Sequence, residues 1–260
     1  MRTALVTGAG SGIGRAVAVA LGRRGYALAL AGRRRATLEE TAELTSAPET
    51  LILDGDLSDP AAAERAVSGA VEGLGGIGAL VNNAGGGGLA PLRTIRAAEY
   101  LAVMDQNATS AACCTMAAWN GMSRLGRAVV VNVASMAVYD PLEGFFAYAA
   151  AKGAMAAMTV SAAKEGRRVG IEAYCICPGA VETPLLRSIV DERSLPRGQA
   201  LSPADVAGVV VACISGDRRG DNGGTIPVLP RSAAAWWNAW RADHACGWLG
   251  MEPVWGPEEG

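Results

Sequence analysis

Of the 260 residues only one is histidine, His244, and only two are lysine, Lys152 and Lys164. His244 lies two residues from Cys246, and two candidate ligands make no zinc site, so no metal is expected. The six cysteines fall as Cys113-Cys114, Cys175-x-Cys177, Cys213 and Cys246, with no CxxC pair. That is the pattern of reduced, buried thiols and not of a disulfide framework. Neither sign of charge dominates: 23 basic against 25 acidic residues leave a net charge of −2. Nothing in that balance calls for nucleic acid or an anionic membrane as partner. No apolar run is long enough to span a bilayer, and no secretory signal precedes the strand-like residues 3–7; the expected location is cytoplasmic. There is no internal repeat and no interdomain linker. Half of the residues are hydrophobic, enough for a sizeable core in one α/β domain.

What is present centres on Tyr148-Ala149-Ala150-Ala151-Lys152. Tyr148 and Lys152, four residues apart, share one face of a helix. A free tyrosine, with a pKa of about 10, is a poor acid or base at neutral pH. A neighbouring ammonium favours the phenolate and is expected to lower that pKa towards the range useful for catalysis. Ser135 stands upstream, just after the strand-like run Ala128-Val129-Val130-Val131-Asn132-Val133. A hydroxyl delivered by a strand end to a helix face carrying Tyr and Lys is suited to a carbonyl oxygen. An ordinary helix bearing a tyrosine and a lysine is the alternative that this stretch alone leaves open.

At the other end of the chain, residues 2–7 read as a buried strand. Gly8-Ala9-Gly10-Ser11-Gly12-Ile13-Gly14 follows, and then a helix begins at about Arg15. A glycine-rich turn between strand and helix lets backbone approach a phosphate, and the helix N-terminus adds free N–H groups and a positive dipole. The spacing is Gly-x3-Gly-x-Gly and not GxGxxG. The second strand, 26–31, ends in Gly32-Arg33-Arg34-Arg35, and no acidic residue occurs until Glu39. An acidic residue there would bind a ribose 2′-OH, whereas an arginine accommodates a 2′-phosphate. This predicts NADP(H) over NAD(H), the alternative being a solvated arginine run at a helix start.

Further along, a strand at 50–53 leads to Asp54-Gly55-Asp56-Leu57-Ser58-Asp59, in which Asp56 suits an adenine amino group and Asp59 caps the helix opened by Pro60. A fourth strand at 79–81 runs into Asn82-Asn83-Ala84-Gly85 and three more glycines, 86–88, at the strand end where open α/β sheets bind ligands. Residues 97–122 read as one long helix with a buried Asn107. The Tyr/Lys helix, about 146–165, is small and apolar nearly all round, which predicts that another subunit covers it. The strand at 171–176 leads through Cys177-Pro178-Gly179 to a polar run ending near Ala200, a candidate flap. Ser202-Pro203-Ala204-Asp205 is a helix start, and the last expected strand is 225–229. Residues 230–260 form a tail with five of the six tryptophans, at 236, 237, 240, 248 and 255. It is expected to pack on its own domain, residues 1–229, or on a neighbouring subunit, with one tryptophan lining the substrate pocket as the sharper reading.

In chain order stand Thr7-Gly-Ala-Gly-Ser-Gly-Ile-Gly14, Asp56, Asn82-Asn-Ala-Gly85, Asn107, Ser135, Tyr148-x3-Lys152 and Pro178-Gly179. Together, over about residues 2–229, they resemble the short-chain dehydrogenase/reductase family in its compact single-domain branch. The resemblance implies a doubly wound Rossmann fold, a seven-stranded parallel sheet with helices on both faces. Tyr148 would be the general acid and base, and Lys152 would lower its pKa and hold the nicotinamide ribose. Ser135 would bind the substrate oxygen, and Asn107 a water linked to Lys152. Gly8, Ser11, Gly12, Ile13 and Gly14 would line the pyrophosphate turn, with Arg33 and Arg34 at the 2′-phosphate. Asp56 and Leu57 would contact adenine, Asn82, Ala84 and Gly85 the adenosine side. Pro178, Gly179, Val181 and Thr183 would serve the nicotinamide. The implied activity interconverts a ketone or aldehyde with an alcohol in a homodimer or homotetramer. A 3-oxoacyl-thioester reductase, with Arg124, Arg127, Arg167 and Arg168 greeting an acidic carrier protein, is a variant. A non-catalytic NADP-sensing protein is the alternative of a different class. The chain departs from the family pattern in the ending of its last strand, in the short segment 183–202 and in the tryptophan tail.

Overall fold

The structure, a computed structural model, describes residues 2–87, 89–243 and 253–256. Gly88, His244, Cys246, Trp248 and the final Pro-Glu-Glu-Gly lie outside the described residues. Strand β1 (Thr3–Thr7) is buried along its whole length, as an apolar run predicts for the centre of a parallel sheet. It turns through the glycines into α1 (Gly12–Gly22), whose Val17, Ala18 and Leu21 face the core. β2 (Ala27–Gly32), α2 (Arg35–Leu44), β3 (Thr50–Asp54) and α3 (Pro60–Leu74) follow. Asp59 caps α3 as expected, accepting from the Ala61 amide at 3.1 Å.

The second half holds β4 (Ala79–Asn82), α4 (Ala97–Met104), α5 (Ser110–Arg124), β5 (Ala128–Val133), α6 (Phe146–Gly166) and β6 (Ile171–Pro178). The short α7 (Pro184–Arg187), α8 (Pro203–Ser215) and β7 (Thr225–Leu229) come next, then α9 (Ala234–Asp243) and β8 (Val254–Trp255). Ser202 and Asp205 close the expected capping box on α8.

The sheet order is β3-β2-β1-β4-β5-β6-β7-β8, with every neighbouring pair parallel. One face is covered by α1 and α8, the other by α3 and α5, which gives two apolar layers. The chain winds out from β1 to β3 and returns to β4 on the far side of β1. Ligand crevices form at such a reversal, outside the strand C-termini.

Two expectations need correction. The sheet has eight strands and not seven, because Val254 and Trp255 pair with Val228 and Leu229; two residues between breaks are too short to show a period-2 pattern. The helix expected over 97–122 is interrupted by a π-helical turn, Asp105–Thr109. There the Asn107 amide donates to the Val103 carbonyl at 2.8 Å and to the Gly86 carbonyl at 2.6 Å. That side chain competes for a ladder carbonyl, and the helix widens to accommodate it. No helix among the described residues is long and apolar enough to cross a membrane.

Candidate active site

At the reversal, the turns after β1 and β4 brace each other. The Thr7 hydroxyl accepts from the Asn83 and Ala84 amides at 3.0 and 2.9 Å and donates to the Val81 carbonyl. Gly8 takes a left-handed φ of 64°, and a methyl there would meet Asn83 Nδ2 at 2.8 Å and Ala84 Cα at 2.9 Å. Only glycine fits both requirements. Ser11 precedes α1 without making a side-chain cap, so the first-turn N–H groups of α1 stay available to a ligand.

From this turn a cleft of about 230 Å³ runs past Ile13 to Arg33, Arg34 and Asp56 on one side and to Ala84, Gly85 and Thr183 on the other. Gly8, Ser11, Gly12 and Leu57 also line it. Arg35 is committed elsewhere, to Asp54 at 2.5 Å and to Glu39 at 3.6 Å. Among the described residues, neither Arg33 nor Arg34 forms an ion pair. The Asp56 carboxyl is held below its usual range, first by hydrogen bonds from the Ser58 hydroxyl and amide, and more weakly by the Arg33 charge. An uncapped helix end, a glycine turn and two arginines without an ion pair among the described residues, along one cleft, fit an elongated anion such as a dinucleotide.

The other half of the site gathers where β5, β6 and α6 meet. Ser135, at the end of β5, opens a 3-10 turn, Met136–Val138, and its Oγ accepts from the Ala137 amide at 3.2 Å. Tyr148, on the first turn of α6, lies on the helix packed against this 3-10 turn, and the nearby Ser135 hydroxyl acts on its phenol. Lys152, one turn on, is buried; it donates to the Val133 carbonyl at 3.0 Å and lies 5.5 Å from the Tyr148 ring centre. Gly85 faces both this lysine and Asn107. A methyl there would stand 2.5 Å from Asn107 Oδ1 and 3.3 Å from Lys152 Nζ. That Oδ1 is buried with no hydrogen-bond partner, so the site presents an acceptor beside a buried ammonium.

The expected lowering of the Tyr148 pKa is not what the isolated chain shows. Burial raises it, and the nearby Ser135 hydroxyl only partly offsets that rise. Burial likewise depresses Lys152, to about 8. At both groups the cost of leaving water is the dominant effect.

Several expected residues are placed elsewhere. Asn82 is buried in the core, donating to Thr115 at 3.0 Å and to Asn132 at 2.9 Å. Strand alternation turns it from the cleft, and Asn83 lines the cleft in its place. Gly14 lies behind the turn, packed against the Gly8 carbonyl. Val181 is buried and bridges to Leu201, and Pro178 and Gly179 continue the edge of β6 beside β7. Thr183, which lines the cleft as expected, also caps α7, accepting from the Leu186 amide at 3.2 Å. The segment beyond is tied by Arg187, which pairs with Glu182 and donates to the Leu195 carbonyl at 2.8 Å. Arg124 and Arg127 flank the start of β5, and Arg167 and Arg168 precede β6. They sit at the N-terminal edge of the sheet, about 20 Å of strand away from Ser135. Thr37, Ser58 and Gln106 line the cleft without having been singled out; no local spacing marks them.

A family described as short chain dehydrogenase matches residues 2–194. The chain is 34% identical over 207 residues to the 2-(R)-hydroxypropyl-CoM dehydrogenase of Xanthobacter autotrophicus, covering 77% of this chain and 82% of that one. It is 32% identical over 234 residues to the acetoacetyl-CoA reductase of Shinella zoogloeoides, covering 86% and 95%. The crystal structure of levodione reductase superposes with a TM-score of 0.82 at 30% identity, covering 87% of this chain and 95% of that one. The chain therefore belongs to the short-chain dehydrogenase family and is an oxidoreductase of the CH–OH/C=O couple.

Proposed function

We propose that this oxidoreductase interconverts a ketone or aldehyde with an alcohol using NADP(H), with Tyr148 as general acid and base. The observation that carries this reading is the grouping of Tyr148 and the buried Lys152, 5.5 Å from its ring centre, on the helix packed against the Ser135 turn. A nicotinamide held along the cleft by the Gly8–Gly12 turn and Arg33 would supply, or accept, the hydride exchanged with the carbonyl carbon. Ser135 donates to the carbonyl oxygen and holds it beside Tyr148. Burial keeps Tyr148 protonated at neutral pH, which is the state that passes its proton to that oxygen in reduction; in oxidation the phenolate recovers it. Lys152 stabilises the phenolate left behind. Asn107 Oδ1 holds a water that links Lys152 to the outside. Arg33 and Arg34 accept the 2′-phosphate, because they alone of the three arginines are not already paired with an acid.

Similarity to an acetoacetyl-CoA reductase favours a second reading, reduction of a 3-oxoacyl thioester. Loss of NADPH absorbance across ketones, aldehydes and 3-oxoacyl thioesters, with Tyr148→Phe beside the wild type, tests both. Turnover that survives Tyr148→Phe would refute the mechanism. NADPH binding with no turnover on any class would favour a sensing role. The assembly is a homodimer or homotetramer in which a second copy covers α4–α6, where Leu101, Met116 and Phe146 are exposed; a monomer by light scattering at micromolar concentration would refute it.

A further inference from the structure

The described part of the tail packs against the turn that carries Ser135. Tyr139 closes that turn: its amide donates to the Met136 carbonyl at 2.9 Å, and the Val138 amide donates to the Ser135 carbonyl at 3.1 Å. Its ring meets Trp237 edge-on at 5.6 Å and Trp240 edge-on at 5.5 Å, and the two indoles stack on each other at 5.4 Å. Its hydroxyl donates to Thr225 Oγ1 on β7 at 2.7 Å. Ala134 and Met136, the neighbours of Ser135 in the chain, belong to the same apolar cluster as Trp237, Trp240 and Trp255. β8 anchors the far end of the tail on β7. A turn of five residues, Ser135 to Tyr139, held at its far end by two indoles and a hydrogen bond has little freedom at its near end.

We propose that Trp237 and Trp240 are positioning residues that act through Tyr139 to fix the Ser135 hydroxyl against the substrate oxygen. This rests on the reading of Ser135 given above. The tail touches none of the reacting atoms in this account; it removes the freedom of the turn that delivers one of them. Aromatic edge contacts suit the task, because they are directional and each adds about 0.5–1.5 kcal/mol beyond the area buried.

A double-mutant cycle decides the matter. Trp240 is only partly buried, so Trp240→Ala is expected to fold. The expected result is a kcat about tenfold lower with NADPH affinity unchanged, and recovery in Trp240→Phe, which restores an aromatic edge. In a Ser135→Ala background the same Trp240→Ala step is expected to cost less than about twofold, because residues acting as one unit are not additive. An equal loss in both backgrounds, or no loss of kcat in the single variant, overturns the positioning role while leaving the chemistry of Ser135 intact. Full activity in Ser135→Ala alone overturns the role of Ser135 and the tail's role with it. Tyr139→Phe, which keeps the ring and drops the bond to Thr225, is expected to lie between wild type and Trp240→Ala.

Discussion

At the β1–β4 end of the site the cleft is lined by backbone amides and exposed arginines, whereas at the β5–β6 end Lys152 and Asn107 are buried. The first arrangement keeps its charges in water and lends them to a ligand at little cost to the fold. The second takes an ammonium and a phenol out of water, and both protonation equilibria move as a result. Binding is thus built from cheap, solvated parts and proton transfer from expensive, desolvated ones. Removing a group at the buried end should change kcat and stability together. Removing one at the exposed end should change affinity alone.

The largest effect is expected at the buried end. Tyr148→Phe removes the proton that reduction needs, and kcat is expected to fall about 10³-fold with the NADPH dissociation constant unchanged within about twofold. Titration by fluorescence beside steady-state rates measures both. A large loss of NADPH affinity would mean that the phenol belongs to binding, and the contrast between the two ends would fail.

Lys152→Met tests the energetic half of the comparison. Activity is expected to drop roughly 10²-fold, while the melting temperature at pH 7 rises despite the lost bond to the Val133 carbonyl. The sign follows from linkage. The folded-state pKa lies near 8 against 10.5 for a free lysine. Between those values the unfolded chain binds more protons, so wild-type stability climbs with pH across that window. The variant lacks this dependence. Its advantage should be full below about pH 8 and shrink towards pH 10.5. A melting temperature lower than wild type at every pH would show that the ammonium stabilises the fold.

Arg33→Asp moves to the exposed end. NADPH affinity is expected to fall about 10- to 100-fold, the range of a charge-assisted phosphate contact, with NADH affinity changed less than about threefold. An equal loss for both cofactors would remove the 2′-phosphate from the account.

The two ends also differ in how much of them the sequence reveals. The glycine turn, the Asp59 cap and the Tyr148/Lys152 helix are local: a few residues determine a backbone conformation or a shared helix face, and spacing alone exposes them. Asn82 and Asn83 were not separable, because which of two neighbours faces the cleft depends on strand register. The π-helical turn at Asn107 needed Gly86, a residue on another element, to become visible. The clamp of Trp237 and Trp240 on Tyr139 joins segments about a hundred residues apart, and β8 is two residues long; no periodicity reports either. The sequence shows an ammonium beside Tyr148 but not the depth at which both groups lie, and it is that depth which pushes the phenol up in the free chain.

The smallest effect should come from the third arginine, and it sharpens the contrast most finely. Arg33, Arg34 and Arg35 are identical in chemistry and consecutive in sequence, so only structure tells them apart. Arg35 is the first residue of α2 and reaches back to Asp54 at the end of β3 and forward one turn to Glu39. Its charge is already answered by two carboxylates, and all three side chains are about half exposed. Exposed pairs of this kind contribute up to about 1 kcal/mol. Arg35→Ala is therefore expected to leave NADPH and NADH affinity within about twofold of wild type, and to lower the melting temperature slightly, an effect that weakens as salt is raised. A loss of NADPH affinity as large as that of Arg33→Asp would mean that the phosphate competes with Asp54 for this guanidinium. The cation that matters would then be set by exchange of partners on binding and not by which arginines the free protein leaves unpaired.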